Sequence, residues 1–147
     1  MRETTNGSLP GGVIIPALQY DDVATAIDFL CRAFGFERHA VYETEDGIIN
    51  HAQLVFGNGM IMLGQAQKPG SETGFGKFTC RPRDAGGVTQ SLYIVVPDAD
   101  NHYARAIAAS AEIILPIRDE DYGGRGYSAR DPEGHVWTFG TYDPYRP

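Results

Sequence analysis

The residues best suited to chemistry stand near the end of the chain, in YSARDPEGHVWTFG (residues 127–140), where Asp131, Glu133 and His135 alternate. Two carboxylates and an imidazole at that spacing could act as an acid–base group or as donors to a divalent cation. A plainer role fits the same residues. Asp131-Pro132-Glu133-Gly134 has Asp first, Pro second and Gly fourth, the pattern of a type I turn. Pro132 presets φ there, and the Asp131 side chain can accept from nearby backbone amides. We therefore expect a hairpin tip rather than a catalytic pair, with His135 at a strand end on the face opposite Thr138.

A second imidazole is that of His51 in NHAQLVF. It could be a general base, a lone ligand or a hydrogen-bonding group that orients a bound molecule. The sequence places no strong ligand or carboxylate beside it, which favours the orienting role. Cys31 and Cys80 show no CxxC or Cys/His spacing, so no zinc site is indicated. Two separate thiols make no disulfide framework and fit a reduced, cytoplasmic protein.

The elements that must position these groups follow one order, used twice. GVIIPALQY reads as a strand. DDVATAIDFLCRAFGF then puts Val23, Ala26, Ile27, Leu30 and Phe34 at helical spacing, with Asp21 or Asp22 as N-cap and Gly35 as the stop. FERHAVYE, IINHAQLVF and MIMLGQ are three further strands, with EDG and GNG as turns. In the second half SLYIVVPDAD is a strand, and DADNHYARAIAAS is a helix with Tyr103, Ala106 and Ile107 on one face. AEIILPI, GRGYSAR and GHVWTFGTY are again strands. The division expected is a flexible tail over 1–12, a first βαβββ module over 13–66, a Gly/Pro-rich connection over 67–88 and a second module over 89–147. A connection that long is usually a lid, a subunit-contact arm or a linker, and as a lid it would close with Phe75 and Phe78 as its apolar contacts.

Composition narrows the partners. Lys plus Arg number 12 against 19 Asp plus Glu, a formal charge of -7, which argues against nucleic acid or an anionic membrane. No apolar run reaches the roughly 18 residues that a membrane helix needs.

Three stretches, AIDFLCRAFGFE, HAQLVFGNGMIMLG and ARDPEGHVWTFG, resemble the vicinal oxygen chelate superfamily, also called the glyoxalase/bleomycin-resistance/dioxygenase superfamily. The resemblance implies an α+β fold, with two βαβββ modules forming a curled sheet around a cleft and helices on the outer face. It also implies a homodimer. Metal-using members carry one ligand on the first and last strand of each module. Those positions map here to Ile15, Met62, Ser91 and Thr138, which cannot build a site for a first-row divalent ion. The chain is thus similar to the bleomycin-resistance-like, non-metal branch, with no metal and no cofactor.

Strand alternation then assigns the cleft. His51, Gln53, Met60, Met62, Ser91, Tyr93, Tyr127 and Thr138 are the expected ligand-binding residues, with Trp137 and Phe139 under a helix. Such a lining suits a small aromatic or cationic molecule. The expectation is binding without catalysis. The alternative is a metal-dependent lyase, isomerase or extradiol-type dioxygenase of the same superfamily.

Overall fold

Helix α1 (Val23–Phe34) begins where Asp22 caps it, which settles the choice between Asp21 and Asp22. The Asp22 carboxylate accepts the Thr25 N–H at 3.0 Å and the Thr25 hydroxyl at 2.8 Å. Gly35 ends the helix at φ 86°, in the left-handed region a side chain would resist. All five apolar positions read from the spacing are buried. The computed structural model describes residues 11–147, so of the tail expected over 1–12 only Gly11 and Gly12 are described.

The first module pairs β1 (Ala17–Tyr20), β2 (Glu37–Glu43), β3 (Ile49–Phe56) and β4 (Gly59–Gln65) in the order β1-β4-β3-β2. The second pairs β5 (Leu92–Val95), β6 (Glu112–Asp119), β7 (Arg125–Arg130) and β8 (Val136–Gly140) in the order β5-β8-β7-β6. In both, the first strand lies parallel to the last, and the other pairings are antiparallel. The sheets curl without closing, and among the described residues no strand of one pairs with a strand of the other.

The second module's helix, α3 (Ala99–Ala108), is capped by Asp98, which accepts the Asn101 N–H at 3.0 Å. Its buried stripe is Ala99, His102 and Ala106. Ile107, expected on that face, is 49% exposed. The spacing of three and four along the helix places His102 there instead.

The connection between β4 and β5 is not structureless. It carries a 3₁₀ turn (Gly74–Phe78) and a short helix, α2 (Pro82–Ala85). The Asp21 carboxylate pairs with both Arg81 and Arg83, and Arg81 reaches Asp84 at 2.7 Å, so this end of the connection is tied to the start of α1.

One core serves both modules. α1 packs on α3. Phe34 of α1 meets Phe139 and Trp137 of β8 at ring separations of 4.7 and 5.8 Å, and Phe36 meets Trp137 at 5.6 Å. Phe34, Trp137 and Phe139 are fully buried, each worth roughly 2 kcal/mol in apolar burial. The helix face of each sheet is therefore committed to packing, and the opposite face of each is left open.

Candidate functional site

The Asp131–Gly134 turn is present, closed by the Gly134 N–H donating to the Asp131 carbonyl at 3.0 Å. Asp131 is buried, and its carboxylate is filled by four donors. Oδ1 accepts the N–H groups of Glu133 and His135 at 3.0 and 3.1 Å. Oδ2 accepts the Tyr20 hydroxyl at 2.6 Å and the Trp137 indole N–H at 3.1 Å. Burial, then the charge of Asp131, push the Tyr20 hydroxyl well above its ordinary value, so it stays a donor. Glu133 is occupied too, accepting the backbone N–H groups of Asp21 and Asp22 at 2.6 and 2.9 Å. His135 donates from Nε2 to the Gln19 carbonyl at 2.9 Å. The trio that looked most chemical fastens the second module to the first.

The open face of the first sheet gathers four of the expected residues. Gln53 is the cross-strand partner of Met62, His51 of Gly64, and Val55 of Met60. Ala17 lies beside Met62 and Gln19 beside Gly64 on the parallel side. His51, Gln53, Met60 and Met62 are thus on one face, while Ala52, Leu54, Ile61 and Leu63 are buried on the other. The His51 Nε2 lies 3.4 Å from the Gln53 amide nitrogen, and the Tyr42 ring is 5.7 Å from the imidazole.

On the second sheet Tyr93 and Thr138 are neighbours in register. The Tyr93 hydroxyl donates to the Tyr142 carbonyl at 2.6 Å. Its ring lies over Gly140, where a Cβ would come within 2.6 Å of the Tyr93 oxygen, so only glycine leaves room for it. Ser91 is exposed, just ahead of β5.

Tyr127 departs from expectation. It pairs with Phe139 rather than lying beside Thr138, and its ring packs in the core with its hydroxyl 2.6 Å from His102 Nδ1. The reason lies in the turn. Gly134 adopts φ 96°, adding a left-handed residue after the type I turn, so Asp131 pairs with His135 across a three-residue loop. That one extra residue exchanges the faces of β7. Ser128, not Tyr127, meets Thr138, with their hydroxyl oxygens 2.7 Å apart.

A half-open cavity of about 230 Å³ lies on this second face, lined by Tyr93, Leu115, Arg118, Tyr122, Ser128 and Thr138 among others. Tyr122 and Tyr142 stack edge to face at 5.2 Å beside it. Sequence reasoning missed Ser128, Tyr122 and Tyr142; the glycine at the fourth turn position was the signal for Ser128. His51, Gln53, Met60 and Met62 do not line this cavity. One chain thus presents two separate faces rather than one enclosed cleft. Phe75 and Phe78 stand exposed at 71% and 85%.

The mapped ligand positions carry weak metal donors. Of the mapped ligand positions, Ile15 is apolar, Met62 offers a thioether, and Ser91 and Thr138 are hydroxyls. Among the described residues no group of three or more His, Cys, Asp or Glu converges. His51 is the strongest donor on the first face, and its neighbours are an amide and a phenol.

Known proteins share this fold. The model of the Glyoxalase/Bleomycin resistance protein/Dioxygenase superfamily matches residues 14–139. An uncharacterized protein of Mycobacterium bovis is 31% identical over 127 residues, 85% of this chain and 80% of that one. The crystal structure of TioX from Micromonospora sp. ML1 is 34% identical and covers 88% of this chain and 98% of its own, with a TM-score of 0.70. A mutant of the genomically encoded fosfomycin resistance protein FosX from Listeria monocytogenes, complexed with Mn(II) and a dihydroxypropylphosphonic acid, is 15% identical. It covers 94% of each chain with a TM-score of 0.62, a likeness of fold.

Proposed function

Because the chain belongs to the glyoxalase/bleomycin resistance protein/dioxygenase superfamily, we propose that it binds a small aromatic or cationic molecule without a metal ion. The observation that carries this reading is the chemistry of the open faces. His51, Gln53, Met60 and Met62 on one sheet and Tyr93, Ser128 and Thr138 on the other offer ring faces, thioethers, hydroxyls and amides. Such groups grip and orient a guest. A catalytic reading needs a free base or a Lewis acid. The carboxylates of Asp131 and Glu133 are committed to structural hydrogen bonds.

The proposal includes a homodimer, in which the first-sheet face of one copy lies opposite the second-sheet face of the other and the divided lining becomes one cleft. It also includes a cytoplasmic setting, which suits two free thiols.

The test joins a metal analysis with a thermal-shift screen. Protein purified without chelator is expected to hold under about 0.1 equivalent of divalent ion, and aromatic or cationic molecules are expected to raise Tm. Stoichiometric transition metal, or stabilisation only by Mn, Ni, Co, Zn or Fe, rejects the reading.

A further inference from the structure

Resting on that binding reading, we infer that the second-sheet cavity is a subsite for one flat, uncharged aromatic ring system bearing a hydrogen-bond acceptor, and that a single chain builds this subsite whole. Size comes first. An apolar cavity of about 150 Å³ is enough for benzene, so about 230 Å³ suits a fused bicycle or a substituted ring. It is too small for a whole drug-sized ligand, so the rest of any larger guest lies outside it.

The walls specify the shape. Tyr93 is held at its hydroxyl end, where the ring edge lies on Gly140 and the hydroxyl donates to the Tyr142 carbonyl, so it offers a fixed ring face. Tyr122, set edge to face against Tyr142, supplies a second aromatic surface at the rim. Gly126 and Gly140 pair across β7 and β8, and the Tyr93 ring covers the Gly140 side of that floor. A cavity walled by the rings of Tyr93 and Tyr122 favours a planar guest.

Two features select its polarity. Ser128 and Thr138 hydrogen-bond to each other at 2.7 Å. One O–H is used in that bond, so the pair retains one donor for a carbonyl or ring nitrogen. The charged lining residues already have partners. Arg118 is held by Glu120 at 2.7 Å, and Arg125 by Asp100 and Asp119 at 3.1 and 3.2 Å. Glu120, the carboxylate of the lining, is thereby neutralised by Arg118. This separates the subsite from the wider reading, which admits cationic guests.

The experiment uses the full chain with two probes of similar size, neutral 2-naphthamide and cationic N-methylquinolinium, followed by calorimetry and amide chemical-shift mapping. We expect 2-naphthamide to bind at least tenfold tighter, with shifts at Tyr93, Ser128 and Thr138. Tyr93→Ala should weaken it about tenfold, Thr138→Val about fivefold, and Tyr93→Phe, which keeps the ring, less than threefold. Should Tyr93→Ala fail to fold, the wild-type shift map and Thr138→Val decide. Tighter binding of N-methylquinolinium, or indifference to both Tyr93→Ala and Thr138→Val, overturns the subsite. If shifts then gather at His51 and Gln53, metal-free binding stands without it. If neither probe binds, the subsite is rejected and the thermal-shift screen alone judges the wider proposal.

Discussion

The Tyr20 hydroxyl donates to Asp131 Oδ2 at 2.6 Å across 111 residues of sequence, joining the end of β1 to the turn before β8. Asp131 serves four donors and needs every lone pair it presents, so the two modules meet at a carboxylate that only an acceptor can replace.

Asp131→Asn tests this. The amide NH₂ would face a donor, leaving buried hydrogen bonds unmade at a cost of about 3 kcal/mol. Urea denaturation with circular-dichroism detection measures it. A loss under about 1 kcal/mol would show that the junction does not depend on the charge.

His102 gives a pH dependence. It donates from Nε2 to the Phe34 carbonyl at 2.7 Å and accepts the Tyr127 hydroxyl on Nδ1 at 2.6 Å. Burial is the main cause holding its pKa below the ordinary histidine value, so the folded protein keeps the ring neutral. The unfolded chain then binds more protons than the folded one as pH falls below about 6.5, and stability declines with falling pH from there until the folded pKa is passed. Thermal melts at steps between pH 7.5 and pH 5 should show this slope, and His102→Gln should flatten it. An unchanged slope in the variant assigns it to other groups.

Asp21→Ala tests the tether on the connection. The Asp21–Arg83 pair is largely exposed, and the partly buried Arg81 keeps Asp84 as a partner, so Tm should fall only slightly. Release of Arg81 and Arg83 should instead expose the 67–88 segment, raising the rate of limited proteolysis there several-fold. Equal rates in variant and wild type would mean that the Pro82–Gly134 packing holds the segment by itself.

Much of the fold was legible because its signals are local. The Asp22 cap, the Gly35 stop and the alternation in β3, β4 and β8 each depend on residues a few positions apart, and each appears as expected. What escaped was set by one backbone angle or by distant partners. GRGYSAR offers small residues on both faces, and four residues in succession, Gly126 to Ala129, are buried. Its pattern therefore could not choose a face, and the left-handed Gly134 chose it instead. Glu133 showed nothing in sequence of its contact with Asp21 and Asp22, since those amides lie more than a hundred residues away.

That contact bears on the chain's history and handling. The acidic tip of the later half supplies acceptors where the earlier half's helix starts, so splitting the gene at the connection would leave a raw end on one fragment and an idle carboxylate on the other. With the core shared between them as well, the halves are expected to depend on each other for folding. Mixing them in trans, rather than expressing either alone, is the way to recover a folded molecule from fragments.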